Sequence, residues 1–154
     1  MSIIFLQESF LVTRAVDNAQ EFPVLLQSLQ GRQKWQVLRE LASFLVLLHQ
    51  RGFYHDDCSS THVLVNALNP RVADNNFLII DLDNCRLLTR VSRMKVLKNI
   101  FQILYSLPPN RVFKSDKLRL LKAYWGKDIA KKRLKRYIYY LNLLAKWKTG
   151  AKCF

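Results

Sequence analysis

Apolar and polar positions along the chain follow two different periods. The helical period is clearest in RQKWQVLRELASFLVLLHQRG, where Trp35, Leu38, Leu41, Ala42, Leu45 and Leu48 fall on one stripe. Gly52 reads as the stop of that helix. The preceding stretch NAQEFPVLLQSLQG reads as a shorter helix, with Pro23 in its first turn and Gly31 at its end. The opening SIIFLQESFLVTRAV holds two short apolar runs broken by QES. It reads as two strands, or as a strand and a link, ending near Val16.

Beyond Gly52 the pattern changes. HVLVN and FLIIDLD are short, apolar and rich in β-branched residues, and ALNPRVADNN between them is rich in turn formers. Together they predict a β-hairpin with a long loop. The helical period then returns over roughly 93–107, 115–125 and 127–147. SLPPNR separates the first two of these, and Ser115 and Asp128 read as helix starts. The expected fold is one domain over 1–154, α+β and mostly helical, with a hairpin set among helices.

Composition narrows the function classes. Half of the residues are apolar, enough for a packed core. No run reaches the roughly 18 apolar residues of a membrane span, and IIFL lacks the basic flank and length of a signal peptide. Cys58, Cys85 and Cys153 form no CxxC pair, which argues against a disulfide framework or structural zinc and suits a reducing, cytoplasmic setting. The net charge is +14, and from Lys114 to Lys152 thirteen basic residues meet only Asp116 and Asp128. Such a field attracts polyanions: nucleic acid, phosphorylated sugars or an anionic membrane surface. In the 127–148 helix Lys127, Lys131, Lys132, Lys135 and Arg136 share a broad face. Ile129, Leu134, Ile138, Leu141 and Leu144 can turn to the core.

The candidate chemistry sits at the ends of the hairpin. FYHDDCSSTHVLVN precedes its first strand, and IIDLDN ends its second. An antiparallel hairpin brings its outer ends together, so Asp57 and Asp81 are expected in one cleft with a histidine. Two such carboxylates suit phosphoryl transfer, one orienting an acceptor hydroxyl and the other holding magnesium on nucleotide phosphates.

These residues carry a family resemblance. His55-x-Asp57, four residues, His62, then FLII and Asp81 follow the order of the protein-kinase motifs. With Cys58 after the aspartate and His62 in place of asparagine, the loop resembles HxDCxxxH of the lipopolysaccharide kinase family, whose members phosphorylate heptose or Kdo of the inner core. LVLLHQRGFYH, VLKNIFQILYSL and SDKLRLLKAYWG also resemble that family's helices. The resemblance implies the C-terminal lobe of a protein-kinase-like fold, with ATP and Mg2+ as cofactors. It implies Asp57 as catalytic base, His55 as the loop's structural histidine and Asp81 as metal ligand. His62 is a magnesium or phosphate contact, or a hydrogen-bonding residue of the loop. ESFLVTRAV resembles the hinge, with Thr13, Arg14, Ala15 and Val16 at the adenine.

The chain also departs from the pattern. Before residue 31 it has no glycine, and its first lysine is Lys34, so the glycine-rich loop and strand lysine of an N-terminal lobe have no counterpart. Asn99 stands where an aspartate braces the catalytic loop, Arg14 where the family often has an acid, and Asp83 where DFG has glycine. Three readings follow. The first is an ATP-dependent sugar kinase of lipopolysaccharide core type, acting on an anionic acceptor at the inner membrane face, with a partner chain as one source of the missing lobe. The second is a degenerate, inactive kinase-like module. The third is a basic nucleic-acid-binding protein, ranked last because no nucleic-acid motif is present.

Overall fold

The computed structural model describes residues 18–66 and 77–149. The hinge-like segment 8–17, with Thr13, Arg14, Ala15 and Val16, lies outside the described residues, as do the hairpin loop 67–76 and Cys153. Strand β1 (Ala19–Glu21) leads into helix α1 (Phe22–Ser28) and helix α2 (Gly31–Gln50). Then come β2 (Phe53–His55), β3 (Val63–Asn66), β4 (Phe77–Ile79) and β5 (Cys85–Leu87). The chain continues through α3 (Arg93–Ser106), α4 (Lys114–Trp125) and α5 (Lys131–Thr149). The mostly helical α+β class expected from the sequence is the one observed.

The predicted hairpin is present. β3 and β4 pair antiparallel, Val63 opposite Ile79 and Val65 opposite Phe77, and β1 adds to the other edge of β3. A second antiparallel pair was not legible in the sequence: β2 runs against β5, with His55 opposite Cys85. Three residues per strand are too few to show a period, and their pairing partners are distant in sequence.

Phe22, Leu25 and Leu26 of α1 and Val37, Leu38, Leu41, Ala42 and Leu45 of α2 bury one continuous core with Val63, Val65 and Phe77. Phe77 stacks on Phe44 at 5.4 Å and tilts against Phe22 at 6.1 Å. Trp35, placed on the α2 stripe by spacing, is instead an exposed residue with Arg39 over its ring. The α2–α4 packing is pinned by a buried ion pair, Lys34 Nζ to Asp116 Oδ2 at 2.8 Å. Asp116 also accepts the Phe113 N–H at 3.2 Å and so closes the start of α4.

Several boundaries differ from expectation. Gly31 does not end α1; it opens α2, after an extended Leu29. Ser115 lies inside α4, whose flanking residue is Phe113. Asp128 lies in the turn before α5, which begins at Lys131. Gly52 does follow α2, and the reason is steric as well as conformational. At φ +79°, a Cβ there would stand 1.9 Å from the Leu88 carbonyl oxygen, and the Gly52 carbonyl accepts the Leu88 N–H at 2.8 Å. The close approach starts the β2–β5 ladder and so aims the chain into the site.

Candidate functional site

The two ladders bracket two short segments. β2 enters the loop 56–62, which exits into β3, and β4 enters the turn 80–84, which exits into β5. At one end the Asp56 N–H donates to the Asn84 carbonyl at 2.9 Å. At the other the Ile80 N–H donates to the His62 carbonyl at 3.0 Å. The loop and the turn are thus stitched together at both ends.

Asp57 is exposed on this loop, and no hydrogen bond or ion pair holds its carboxylate among the described residues. Its backbone is held instead. The Asp57 N–H donates to His55 Nδ1 at 3.2 Å, and its carbonyl faces His62 Nδ1 at 3.0 Å. A carbonyl only accepts, so the His62 Nδ1 carries the proton. His62 Nε2 points the other way, 3.7 Å from Asp81 Oδ2. One imidazole therefore spans from the backbone of Asp57 to the carboxylate of Asp81. The His55 and His62 rings lie nearly parallel, 5.7 Å apart. Asp81 adopts φ +60°, ψ +60°, a left-handed conformation that only a few non-glycine residue types take readily, aspartate among them. Asp83 in the same turn is exposed to solvent.

The neighbouring Asp56 is committed elsewhere. Its carboxylate meets Lys98 Nζ and Arg86 Nη2, each at 3.2 Å. The Lys98 hydrogen bond holds its carboxyl below the usual carboxylate range, with Tyr54 and Arg86 adding to this. Of the two adjacent aspartates, Asp57 is the one whose carboxylate has no partner among the described residues.

Behind the loop lies a buried polar relay. Asn99 of α3, 1% exposed, donates from Nδ2 to the His55 carbonyl, and its Oδ1 accepts from the His55 N–H at 3.5 Å. Oδ1 also faces His49 Nε2 at 3.2 Å, and His49 Nδ1 lies 2.7 Å from the Tyr124 hydroxyl. With Oδ1 accepting, the neutral His49 imidazole donates from Nε2, and its Nδ1 accepts a hydrogen bond from the Tyr124 O–H. Burial pushes His49 down from its usual range and Tyr124 up from its own. Gln102 donates to the Asp56 carbonyl at 2.6 Å, and the Ser60 N–H donates to Ser106 Oγ at 2.7 Å. The asparagine standing in the aspartate's place thus braces the loop with neutral hydrogen bonds. Asn99, Gln102 and Ser106, spaced three and four apart on a buried helix face, were the signal that could have announced this contact.

Cys58 is buried, and burial pushes its thiol up to about 12, so it is no nucleophile. Cys85 is half-buried. His55 is also buried; its Nε2 and the Ser60 hydroxyl have no partner among the described residues. Asp81 Oδ2 and His62 Nε2 lie 3.7 Å apart, and among the described residues no three potential metal ligands come together. Magnesium keeps waters and substrate phosphates and needs only one or two carboxylates. Imidazole favours softer metals, which leaves Asp81 as the suited ligand and His62 as its neighbour.

The model of the lipopolysaccharide kinase (Kdo/WaaP) family matches residues 2–124. A solved structure described as WaaP in complex with acyl carrier protein superposes with a TM-score of 0.69 at 20% identity. The alignment covers 87% of this chain and 57% of that one, so this chain spans little more than half of the solved protein's length. No curated protein matches the sequence.

Proposed function

The chain belongs to the lipopolysaccharide kinase (Kdo/WaaP) family, and from that premise we propose that it serves ATP-dependent phosphoryl transfer to a heptose or Kdo hydroxyl of the lipopolysaccharide core. The observation that carries this reading is the Asp57 carboxylate, without a partner among the described residues, on a loop stitched to the Asp81 turn.

In this reading Asp57 accepts the proton of the attacking hydroxyl. His55 Nδ1 and His62 Nδ1–H fix the Asp57 backbone from both sides, so the carboxylate is presented from a held main chain. Asp81 would hold magnesium, which when bound supplies charge neutralisation at the nucleotide phosphates. His62 is a positioning residue beside Asp81 rather than a metal ligand. The Asn99 relay keeps the loop's entry at His55 fixed. The basic surface offers an anionic acceptor a complementary field, and an acyl carrier protein, named in the complex of the solved neighbour, is a candidate partner.

A non-catalytic module of the same family is the second reading. It is favoured by the sequence before Lys34, which carries neither a glycine-rich loop nor a strand lysine to clamp the phosphates. With no glycine-rich loop to cover the phosphates, nucleotide affinity of the chain by itself is expected at high micromolar to millimolar, roughly 4–6 kcal/mol.

The deciding experiment measures phosphate transfer from ATP to a dephosphorylated core oligosaccharide, with calorimetry of magnesium-ATP alongside. Asp57→Asn is expected to lose turnover by about a hundredfold or more while retaining nucleotide binding. Asp81→Asn is expected to weaken nucleotide binding in magnesium. Equal turnover in wild type and Asp57→Asn rejects the assignment of the base. Nucleotide binding without any turnover selects the second reading.

A further inference from the structure

Helix α5 lies beyond the stretch matched by the family model. One side of it belongs to the core: Leu134, Leu141 and Ala145 are buried, and Ile138 and Leu144 are half-buried. This agrees with the spacing. The opposite side does not carry charge alone. Lys132, Arg136, Tyr139, Leu143 and Trp147 recur at four, three, four and four residues and are all exposed. Trp147 is 88% exposed, the most exposed large apolar side chain among the described residues. The sequence pattern YIYYLNLLAKW reads as core and interface, but Tyr139, Tyr140, Leu143 and Trp147 are exposed to solvent instead.

From this geometry we infer that the outward face of α5 is a docking surface for an anionic lipid bilayer, with Tyr139, Leu143 and Trp147 entering the headgroup region. Three features select a bilayer. Tyr139, Leu143 and Trp147 stand one turn apart and form a ridge about 12 Å long on a straight helix. Aromatic rings with a polar tip and a flanking leucine are the side chains that settle at a membrane interface. Lys132, Lys135, Arg136 and Lys146 surround the ridge and are exposed, so the cations meet lipid phosphates as the ridge enters. A nucleic acid would use the cations and rings but gains nothing from Leu143, which cannot stack on a base. No helix among the described residues is long and apolar enough to cross a membrane, so docking is lateral along α5.

The test uses the full chain with vesicles of phosphatidylglycerol and phosphatidylcholine, and of phosphatidylcholine alone. Wild type is expected to co-sediment with the anionic vesicles at low salt. Brominated lipid is expected to quench its tryptophan fluorescence, and most of that quenching disappears in Trp147→Phe, which leaves Trp35 and Trp125 in place. The triple variant Tyr139→Ser, Leu143→Ser, Trp147→Ser should bind at least about tenfold more weakly, because insertion scales with buried apolar area. Its melting temperature should match wild type, since all three side chains are exposed. Lys132→Glu, Lys135→Glu, Arg136→Glu should abolish the salt-sensitive part, which for wild type fades near 0.5 M salt, where screening acts within roughly 4–5 Å. The inference is overturned if wild type ignores anionic vesicles, or if the serine variant binds as wild type does. It is also overturned if quenching is unchanged in Trp147→Phe, or if duplex DNA or an acidic protein strips the chain from vesicles at equal charge.

Discussion

The side-chain amide of Asn99 holds both backbone groups of His55, taking its N–H and donating to its carbonyl. The entrance to the candidate catalytic loop is therefore fixed by a neutral residue on α3, two residues before Asp57. Truncation to alanine would orphan the His55 backbone and His49 Nε2 in a buried site. Asn99→Ala is expected to cost about 2–3 kcal/mol, within the range for buried groups left unpaired, as read from the urea midpoint. Asn99→Asp would also destabilise, because a carboxylate cannot donate to the His55 carbonyl.

His49 gives the fold a pH dependence with a definite sign. Burial lowers its folded-state value below the ordinary 6.5. The unfolded chain therefore takes up the proton first as pH falls. The stability that this neutral imidazole contributes is present above about 6.5 and is lost as pH drops toward the lowered folded value. Denaturation series from pH 8 to 5 should show that decline, and His49→Gln should flatten it. A slope identical in the variant would place its origin elsewhere.

Gly52→Ala should be among the most damaging single-methyl changes. The added carbon would meet the Leu88 carbonyl oxygen at 1.9 Å, at a positive φ that alanine disfavours. A loss of about 2–3 kcal/mol is expected, as is usual for strain at a special backbone position. Hydrogen exchange should show the β2–β5 ladder opening first, since Leu88 is bonded to Gly52 beside it. A variant that melts like wild type would contradict the close approach.

Lys34→Met would strand the Asp116 carboxylate, which is 4% exposed. Arg119 stays within 3.5 Å of the other oxygen but is itself largely exposed. Breaking one partner of a buried pair typically costs about 3–5 kcal/mol, and this chain should lie at the lower end because the Phe113 N–H still reaches Asp116. Restoring an apolar match with Lys34→Met, Asp116→Leu should recover part of that loss, and a double variant no better than the single would argue against a stranded charge.

Asp81 offers a test that separates backbone from chemistry. Asparagine accepts the left-handed conformation, whereas alanine does so poorly. Asp81→Asn should melt like wild type and differ only in magnesium-dependent nucleotide binding. Asp81→Ala should lose about 1 kcal/mol as well. Equal melting of the two would mean that the turn carries no strain.

The sequence by itself determined the elements whose signal is local. α2 and the β3–β4 hairpin follow from spacing, and so does the buried side of α5, because an apolar stripe must be covered whatever covers it. The order of His55, Asp57, His62 and Asp81, with the strands between them, carried the family resemblance. What only the tertiary structure decided involves partners far apart in the chain. The β2–β5 ladder joins segments of three residues, too short to declare themselves. The division of labour between Asp56 and Asp57 depends on Lys98 and Arg86, which no spacing rule brings to one carboxylate and not to the other. The relay from Tyr124 through His49 and Asn99 to His55 exists only because α2, α3, α4 and β2 pack four polar groups against each other, and polar groups shut away from water must find one another. The outward Tyr139–Leu143–Trp147 ridge was hidden for the opposite reason. Its residues look like core, and only packing shows that the core was already full on the other side of α5.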